Sequence, residues 1–356
     1  MQKIIFYVQN ELKKNINLSK IGLVIRKLND EEHSDLLDGF KSIILEDDDL
    51  QLAKEYYDFK NKKKKFTDIE KIQLFDNISN SKNEKIIINI YNGFSKNVFE
   101  ILNLPKIENE LNNFLIAEID TEEFNKHFYK DYIYDLIPKI IDFSNYIASD
   151  DGNYNAYGQC KIYEYKGVKN DKNLIEVLFF VLLHYSSNTC SLNEKKLEKL
   201  EEMFNLKNRD FNFSFVMMID NLLEDNVLVE NRIINKVSFL ERLLISKEEN
   251  KTESFVLKVG ILCNKLFDIS NEDLSKRLKE IYNIRSMLVH GDGNKIIDNI
   301  DYYRRVFSEV IEKKASKFET KLQILWGVDA ILNLFLIRVL NKYLEDPNLC
   351  EFIKQN

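Results

Sequence analysis

The stretch Tyr282-Asn283-Ile284-Arg285-Ser286-Met287-Leu288-Val289-His290-Gly291 closes a long helical segment and sets an arginine five positions before a histidine. On an ideal helix at about 100° per residue, Leu274, Leu278, Ile281 and Leu288 fall on one narrow apolar stripe, and Arg285 lies in its middle. A guanidinium centred on an apolar face is costly unless an anion or a hydrogen-bond acceptor meets it. Gly291 supplies the residue type that most readily ends a helix in a left-handed cap. The pattern predicts a helix over 271–289 with a chemically capable end.

Outward from this helix the sequence stays helical. The segments Asn173–Tyr185, Asn193–Phe204, Phe213–Leu223, Arg232–Ser246 and Glu253–Phe267 read as helices, and Asp301–Leu344 reads as one final element. Gly327 is a candidate break within it. Its most apolar window, Ile324–Leu340, is interrupted by Asp329, Asn333 and Arg338, which predicts a buried helix and not a membrane span.

The first 170 residues read differently. Ile4–Val8, Ile21–Ile25, Lys85–Tyr91 and Phe114–Ile119 are short β-branched or aromatic runs of strand length, with helices expected at Glu31–Phe40 and Glu122–Phe143. Lys60-Asn61-Lys62-Lys63-Lys64-Lys65 reads as an exposed loop or helix end, and Ala148–Asn153 as a turn or linker. Arginine usage changes along the chain too: only Arg26 precedes residue 209, and the other eight follow. The expected fold class is mainly α, with an α+β domain over 1–170 and a helical region over 171–356. The first domain has no assigned role and is the natural place for a sensor or regulatory surface.

At 356 residues the chain can bury two cores, and 44 % hydrophobic with 31 % charged residues is globular composition. A net charge of −7 argues against a general nucleic-acid coat protein, so a nucleic-acid substrate requires a local basic site. Cys160, Cys190, Cys263 and Cys350 are far apart, with no CxxC, and read as reduced, mostly buried thiols. No metal site, no cofactor and no GxxxxGK[ST] phosphate loop is expected. The N-terminus lacks a signal-peptide pattern, and the expectation is a soluble, cytoplasmic protein with no membrane partner.

Tyr282, Arg285, Ser286, Val289, His290 and Gly291 fit the pattern Y-x-x-R-S-x-x-V-H-G, and Ser238-Phe239-Leu240-Glu241-Arg242-Leu243-Leu244 looks like an L-E-x-L-L opening helix. In these residues the chain resembles the HEPN superfamily (higher eukaryotes and prokaryotes nucleotide-binding), most closely its Apea-like branch, over about residues 228–345. Many active nucleases of that superfamily carry Asn, Asp or His directly after the arginine; Ser286 stands here, as is usual in the Apea-like branch. The resemblance implies a C-terminal HEPN-type helical bundle, a homodimer with a composite Arg-x4-His site, and metal-independent endoribonuclease activity. It also implies a prokaryotic setting of phage defence, toxin activity or stress response. A separate regulatory, sensor or antitoxin protein is a further expected partner.

The chemistry fits the residue types. A ribose 2′-hydroxyl can attack the neighbouring phosphate if the protein moves protons and stabilises the phosphorane-like transition state. Histidine does the first near neutral pH and arginine's planar fork of donors does the second. Arg285 and His290 are the candidate catalytic residues, with Ser286 as a supporting hydrogen-bonder and Glu241 orienting Arg285. Five residues on a straight helix separate the two side chains by about 140°, so they do not share a face. Either Gly291 frees His290 from the helical direction, or two subunits bring their motifs together, with the apolar stripe around Arg285 helping to form that interface.

Arg304, Arg305, Lys313, Lys314, Lys317 and Lys321 follow on the next helix as a candidate basic surface for RNA, although Glu309, Glu312 and Glu319 interleave with them. Tyr302 and Tyr303 are candidates for stacking on an unpaired base. The competing reading makes Arg285 a buried ion-pair partner of Glu241 or Asp292, His290 a capping residue, and the domain a non-catalytic HEPN module that binds RNA or nucleotide or pairs subunits.

Overall fold

The computed structural model describes residues 1–8, 12–41, 47–62, 64–82, 84, 87–88, 104–148, 160–167, 172–184, 192–223, 228–246, 249–264, 269–307 and 321–356. The chain divides into two compact units, the first formed by Met1–Thr121 and Cys160–Leu192, the second by Glu122–Gln159 and Asn193–Asn356. The contiguous division expected at residue 170 differs from this interleaved arrangement. A strand late in the N-terminal half returns to the first sheet, while the strongly amphipathic helix before it has its apolar face committed to the second unit.

The first unit holds a five-stranded antiparallel sheet: β1 (Gln2–Tyr7), β2 (Ile16–Leu18), β3 (Leu23–Lys27), β4 (Phe114–Ile119) and β5 (Ile162–Glu164), in the order β2-β3-β4-β1-β5. Ile4 faces Ala117, and Leu23 faces Ile119. Ile4, Ile5 and Phe6, and likewise Phe114 through Ala117, are fully buried in unbroken runs, so both faces of these strands are covered. The expected strands at 4–8, 21–25 and 114–119 are present, shifted by up to two residues. Lys85–Tyr91 is not a strand where it is described: Ile87 and Ile88 are helical, and the rest of that run lies outside the described residues. A short apolar run carries no period that separates the two states. At three residues each, β2 and β5 are too short to show alternation.

Helices α1 (Asp30–Lys41), α2 (Asp47–Lys60), α3 (Asp68–Asn80) and α4 (Leu104–Glu110) belong to this unit. Thr67 begins α3 with a reciprocal capping box to Glu70. The lysine run ends α2 and turns through Lys62 at φ 53°, exposed as expected; Lys63 lies outside the described residues. In the core Phe40 of α1 lies 6.1 Å from Phe114 and 6.3 Å from Phe179, ring centre to ring centre.

Beside the sheet, Glu32 accepts from Arg26 (2.6 Å) and Lys3 (2.8 Å), and Arg26 also reaches Glu118 (2.7 Å). Burial alone would raise the Glu32 carboxyl, but hydrogen bonds from Arg26, Lys3 and the Asn29 N–H outweigh it and hold it near 2, against an ordinary 4.5. Because the folded value is lowered, this stabilisation is present above about pH 4.5 and is lost as pH falls toward 2, some 3 kcal/mol in all. After correction for the intrinsic pH dependence of exchange, the protection of β3 amides is expected to fall in the wild type as pH is lowered through that window and to change much less in Glu32→Gln.

The second unit is helical. The helix expected at Glu122–Phe143 is instead α5 (Thr121–His127) and α6 (Ile133–Ala148), and buried Asn212 donates to the freed carbonyl of His127 (3.2 Å) where the first one ends. The turn expected at 148–153 lies outside the described residues beyond Ala148. After α7 (Lys172–His184), which belongs to the first unit, come α8 (Glu194–Leu206), α9 (Arg209–Leu223), α10 (Val229–Leu244), α11 (Lys251–Cys263) and α12 (Asn271–Val289). They are followed by α13 (Asn294–Asp298), α14 (Ile300–Phe307), α15 (Lys321–Glu345) and α16 (Pro347–Gln355). The single final helix expected over Asp301–Leu344 is thus two among the described residues, and α15 runs unbroken through Gly327.

Helices α10, α11, α12 and α15 form the bundle, with α14 and α16 packed against it, while α6 packs on α8 and α9 through Phe143 and Phe215 (5.5 Å). Among the described residues α15 is the one helix long and apolar enough, by length and composition, to cross a membrane. Here its apolar side chains, Leu325, Val328, Leu332 and Phe335 among them, are buried against its neighbours. Its Asp329 is buried as well and pairs with buried Lys236 of α10 (2.5 Å) and with Arg232 (3.1 Å). Cys160 and Cys263 are buried thiols outside any disulfide, and burial pushes Cys263 up to about 12.

Candidate functional site

Helix α12 carries the Arg-x4-His pair. Ser270 caps its start by accepting the Asp273 N–H (3.1 Å), and Glu272 and Asp273 in the first turn suit the positive end of the helix dipole. Its far end is a Schellman cap. The Gly291 N–H donates to the Leu288 carbonyl (3.3 Å) and the Asp292 N–H to the Met287 carbonyl (2.8 Å), with Gly291 at φ 77°. A side chain at Gly291 meets open space, so Gly291→Ala adds only left-handed strain. It is expected to cost about 1 kcal/mol, read as a lower melting temperature, without changing the bundle.

Arg285 faces inward. Its Nη2 lies 3.3 Å from Glu241 Oε2, and its guanidinium carbon is 5.8 Å from the centre of the Tyr282 ring. Tyr282 donates its hydroxyl to the other oxygen of Glu241 (2.7 Å). One carboxylate on α10 thus holds an arginine and a tyrosine of α12. Burial, with the hydrogen bond to Glu241, pushes the Tyr282 phenol up to about 12, so it stays a neutral donor. Arg285 Nε is buried with no hydrogen-bond partner, so the protein serves this guanidinium only in part. The sequence did not mark Tyr282 as Glu241's second donor; only the tertiary pairing of α10 with α12 does.

Apart from the half-buried Leu288, the apolar stripe around Arg285 is covered within the chain, not left for a second subunit. Leu274, Leu278 and Ile281 are buried, Leu278 lies over Gly260 of α11, and Tyr282 packs on Phe255 (5.4 Å). The interface role expected of that stripe is therefore corrected: α10 and α11 already take it.

His290 occupies the C-cap and is exposed. No hydrogen bond joins it to Arg285, as the helical geometry requires. Ser286 enters through its carbonyl, which accepts the His290 N–H (3.1 Å); its hydroxyl makes no hydrogen bond to Arg285. Asp292, the other acid considered for Arg285, bonds Lys295 (2.7 Å), and that contact holds its carboxyl below the usual range.

Of the expected RNA-facing residues, Arg304 pairs with Asp301 (3.1 Å), Arg305 reaches the Asp301 carbonyl through Nε (3.3 Å), and Lys321 pairs with Glu230 (3.2 Å). Lys313, Lys314 and Lys317 lie outside the described residues. Tyr302 donates to Glu280 (3.0 Å) and lies edge-on to Tyr303 (5.5 Å). Arg305 and Tyr302 also line a cleft of about 260 Å³ with Asp273, Lys276, Arg277 and Val306, which the sequence reading missed. Lys276 and Arg277 stand in a charged stretch of α12 that reads simply as a solvated face.

A larger cavity of about 590 Å³ in the first unit lies beside Glu31, Glu32, Asp35 and Tyr165. Its most buried acid, Glu32, is already committed to Arg26 and Lys3. Among the described residues no three His, Cys, Asp or Glu side chains gather to hold a metal ion. Comparison with family models, with curated proteins and with solved structures finds no match for this chain.

Proposed function

We propose that the helical unit is a HEPN-type domain acting as a metal-independent endoribonuclease. The observation that carries this reading is one helix, α12, that holds the partly exposed Arg285 against Glu241 and presents His290 exposed at its capped end. Arg285 stabilises the charge that builds on the phosphorane, and His290 protonates the departing 5′-oxygen. The attacking group is the substrate's own 2′-hydroxyl, whose proton passes to solvent water as the 2′-oxygen bonds to phosphorus and the bond to the 5′-oxygen breaks, so the products are a 2′,3′-cyclic phosphate and a 5′-hydroxyl. Because the two side chains diverge, a homodimer supplies His290 of one protomer to Arg285 of its partner. Val289 and Ile297, each about half exposed on either side of the cap, are apolar surface that such pairing covers.

The Glu241–Arg285 ion pair and the C-cap position of His290 favour a second reading, a non-catalytic HEPN module in which both residues are structural. Incubation of purified protein with mixed cellular RNA in EDTA, followed by end-group analysis, separates the two. Cyclic phosphate ends are the expected result. Intact RNA from a folded dimer assigns the module reading.

A further inference from the structure

The cleft between α12 and α14 collects positive charge in an acidic protein. Lys276 and Arg277 of α12 and Arg305 of α14 converge on it, against one lining carboxylate among the described residues, Asp273. That carboxylate already accepts the Ser270 hydroxyl (2.7 Å). Arg277 is buried at 5 % exposure, so one of the three cations sits in the wall and not in free solvent. Lys276 Nζ rests 5.8 Å from the centre of the Tyr302 ring, which Glu280 holds by its hydroxyl. Arg304 answers Asp301, and Glu280, bonded to the Tyr302 hydroxyl, is a further carboxylate beside the cleft that the three cations outnumber. A volume of about 260 Å³ lies below the roughly 300–1,000 Å³ of sites for drug-sized ligands and suits one small charged unit.

We propose that this cleft is a second nucleic-acid contact that binds one phosphate group, as an internal phosphodiester of a single strand or as the terminal phosphate of a mononucleotide. Arg277 and Arg305 offer planar guanidinium donors to its oxygens, and Lys276 a mobile point charge. The cleft lies about 20 Å along α12 from His290. A stacked strand advances about 3.4 Å per nucleotide, so about six nucleotides bridge the two positions. That the strand is RNA rests on the reading above; the affinity for phosphate does not.

The test uses the full chain and a labelled single-stranded 2′-O-methyl RNA of about twelve nucleotides, twice the bridging length. This RNA lacks the attacking hydroxyl, so affinity remains readable even if the nuclease reading fails in the cleavage assay. Lys276→Ala with Arg305→Ala is expected to weaken binding about tenfold or more and to reduce the salt slope by about 0.7, the share of one phosphate contact. Displacement of the RNA by adenosine monophosphate or inorganic phosphate assigns the terminal-phosphate form. No displacement assigns the phosphodiester form. Unchanged affinity and slope in the double variant overturn the site. An equal loss in the control pair Lys199→Ala with Lys342→Ala, exposed lysines that each bond a neighbouring glutamate, overturns it too, because long-range charge then explains the effect. A wild-type protein that binds none of the three probes does so as well.

Discussion

Replacing Arg285 by alanine is expected to slow RNA cleavage by about 10²–10³-fold while the helical bundle still folds. A preorganised donor aimed at developing charge contributes far more to the transition state than to the ground state, and alanine offers nothing in its place. The stability cost is smaller, about 1–2 kcal/mol, because Glu241 keeps the Tyr282 hydroxyl on its other oxygen. Arg285→Lys retains the charge and loses the planar fork, so it should fall between wild type and alanine. His290→Ala should lower cleavage by about 10²–10⁴-fold with almost no change in melting temperature, since His290 is an exposed cap. Cleavage rates with end-group analysis and thermal melts on the same samples separate chemistry from folding. An Arg285→Ala protein that melts early yet cleaves at the wild-type rate would show that the arginine is structural.

The largest expected change in stability lies elsewhere. Asp329→Ala should destabilise the second unit by about 3–5 kcal/mol, since it leaves Lys236 buried and charged with its carboxylate gone. Against a total stability of about 5–15 kcal/mol for a typical domain, that is a large fraction. Arg232 loses its partner in the same stroke. The cost comes from a buried ammonium that has lost its carboxylate and not from the strength of the pair, so Lys236→Met combined with Asp329→Leu should regain most of it. Urea unfolding followed through Trp326, the chain's single tryptophan, on α15 itself, reads all three proteins. A double variant no more stable than Asp329→Ala would refute the account.

The helix of Arg285 was legible because its signals are local. Serine and acids at one end, a 3.6 period through the middle and a glycine at the other end fix α12 to the residue. The proximity of Glu241 to Arg285 could be named as a candidate, yet the carboxylate's second donor, Tyr282, belongs to tertiary packing. Short strands such as β5 leave no periodic trace, so the return of residues 162–164 to the first sheet was invisible, and the domain boundary went with it. The α12–α14 cleft was missed for a related reason. A charged residue on a helix reads as solvated until another helix, here α14 with Arg305, closes over it. Helix α16 did leave a signal, Asp346 capping a proline at the first turn, but nine residues are too few for a period to stand out.

The sheet order has a consequence for synthesis. β1 pairs with β4 on one side and β5 on the other, and both partners are made more than a hundred residues later. At about 5–20 residues per second, Ile4, Ile5 and Phe6 wait on the order of ten seconds for their second neighbour. Until β4 is made they present an apolar strand with two open edges, and until β5 follows one edge stays open, a form prone to pair with another nascent chain. Yield of this protein on expression should therefore be governed by temperature and chaperone supply during translation more than by the stability of the finished fold.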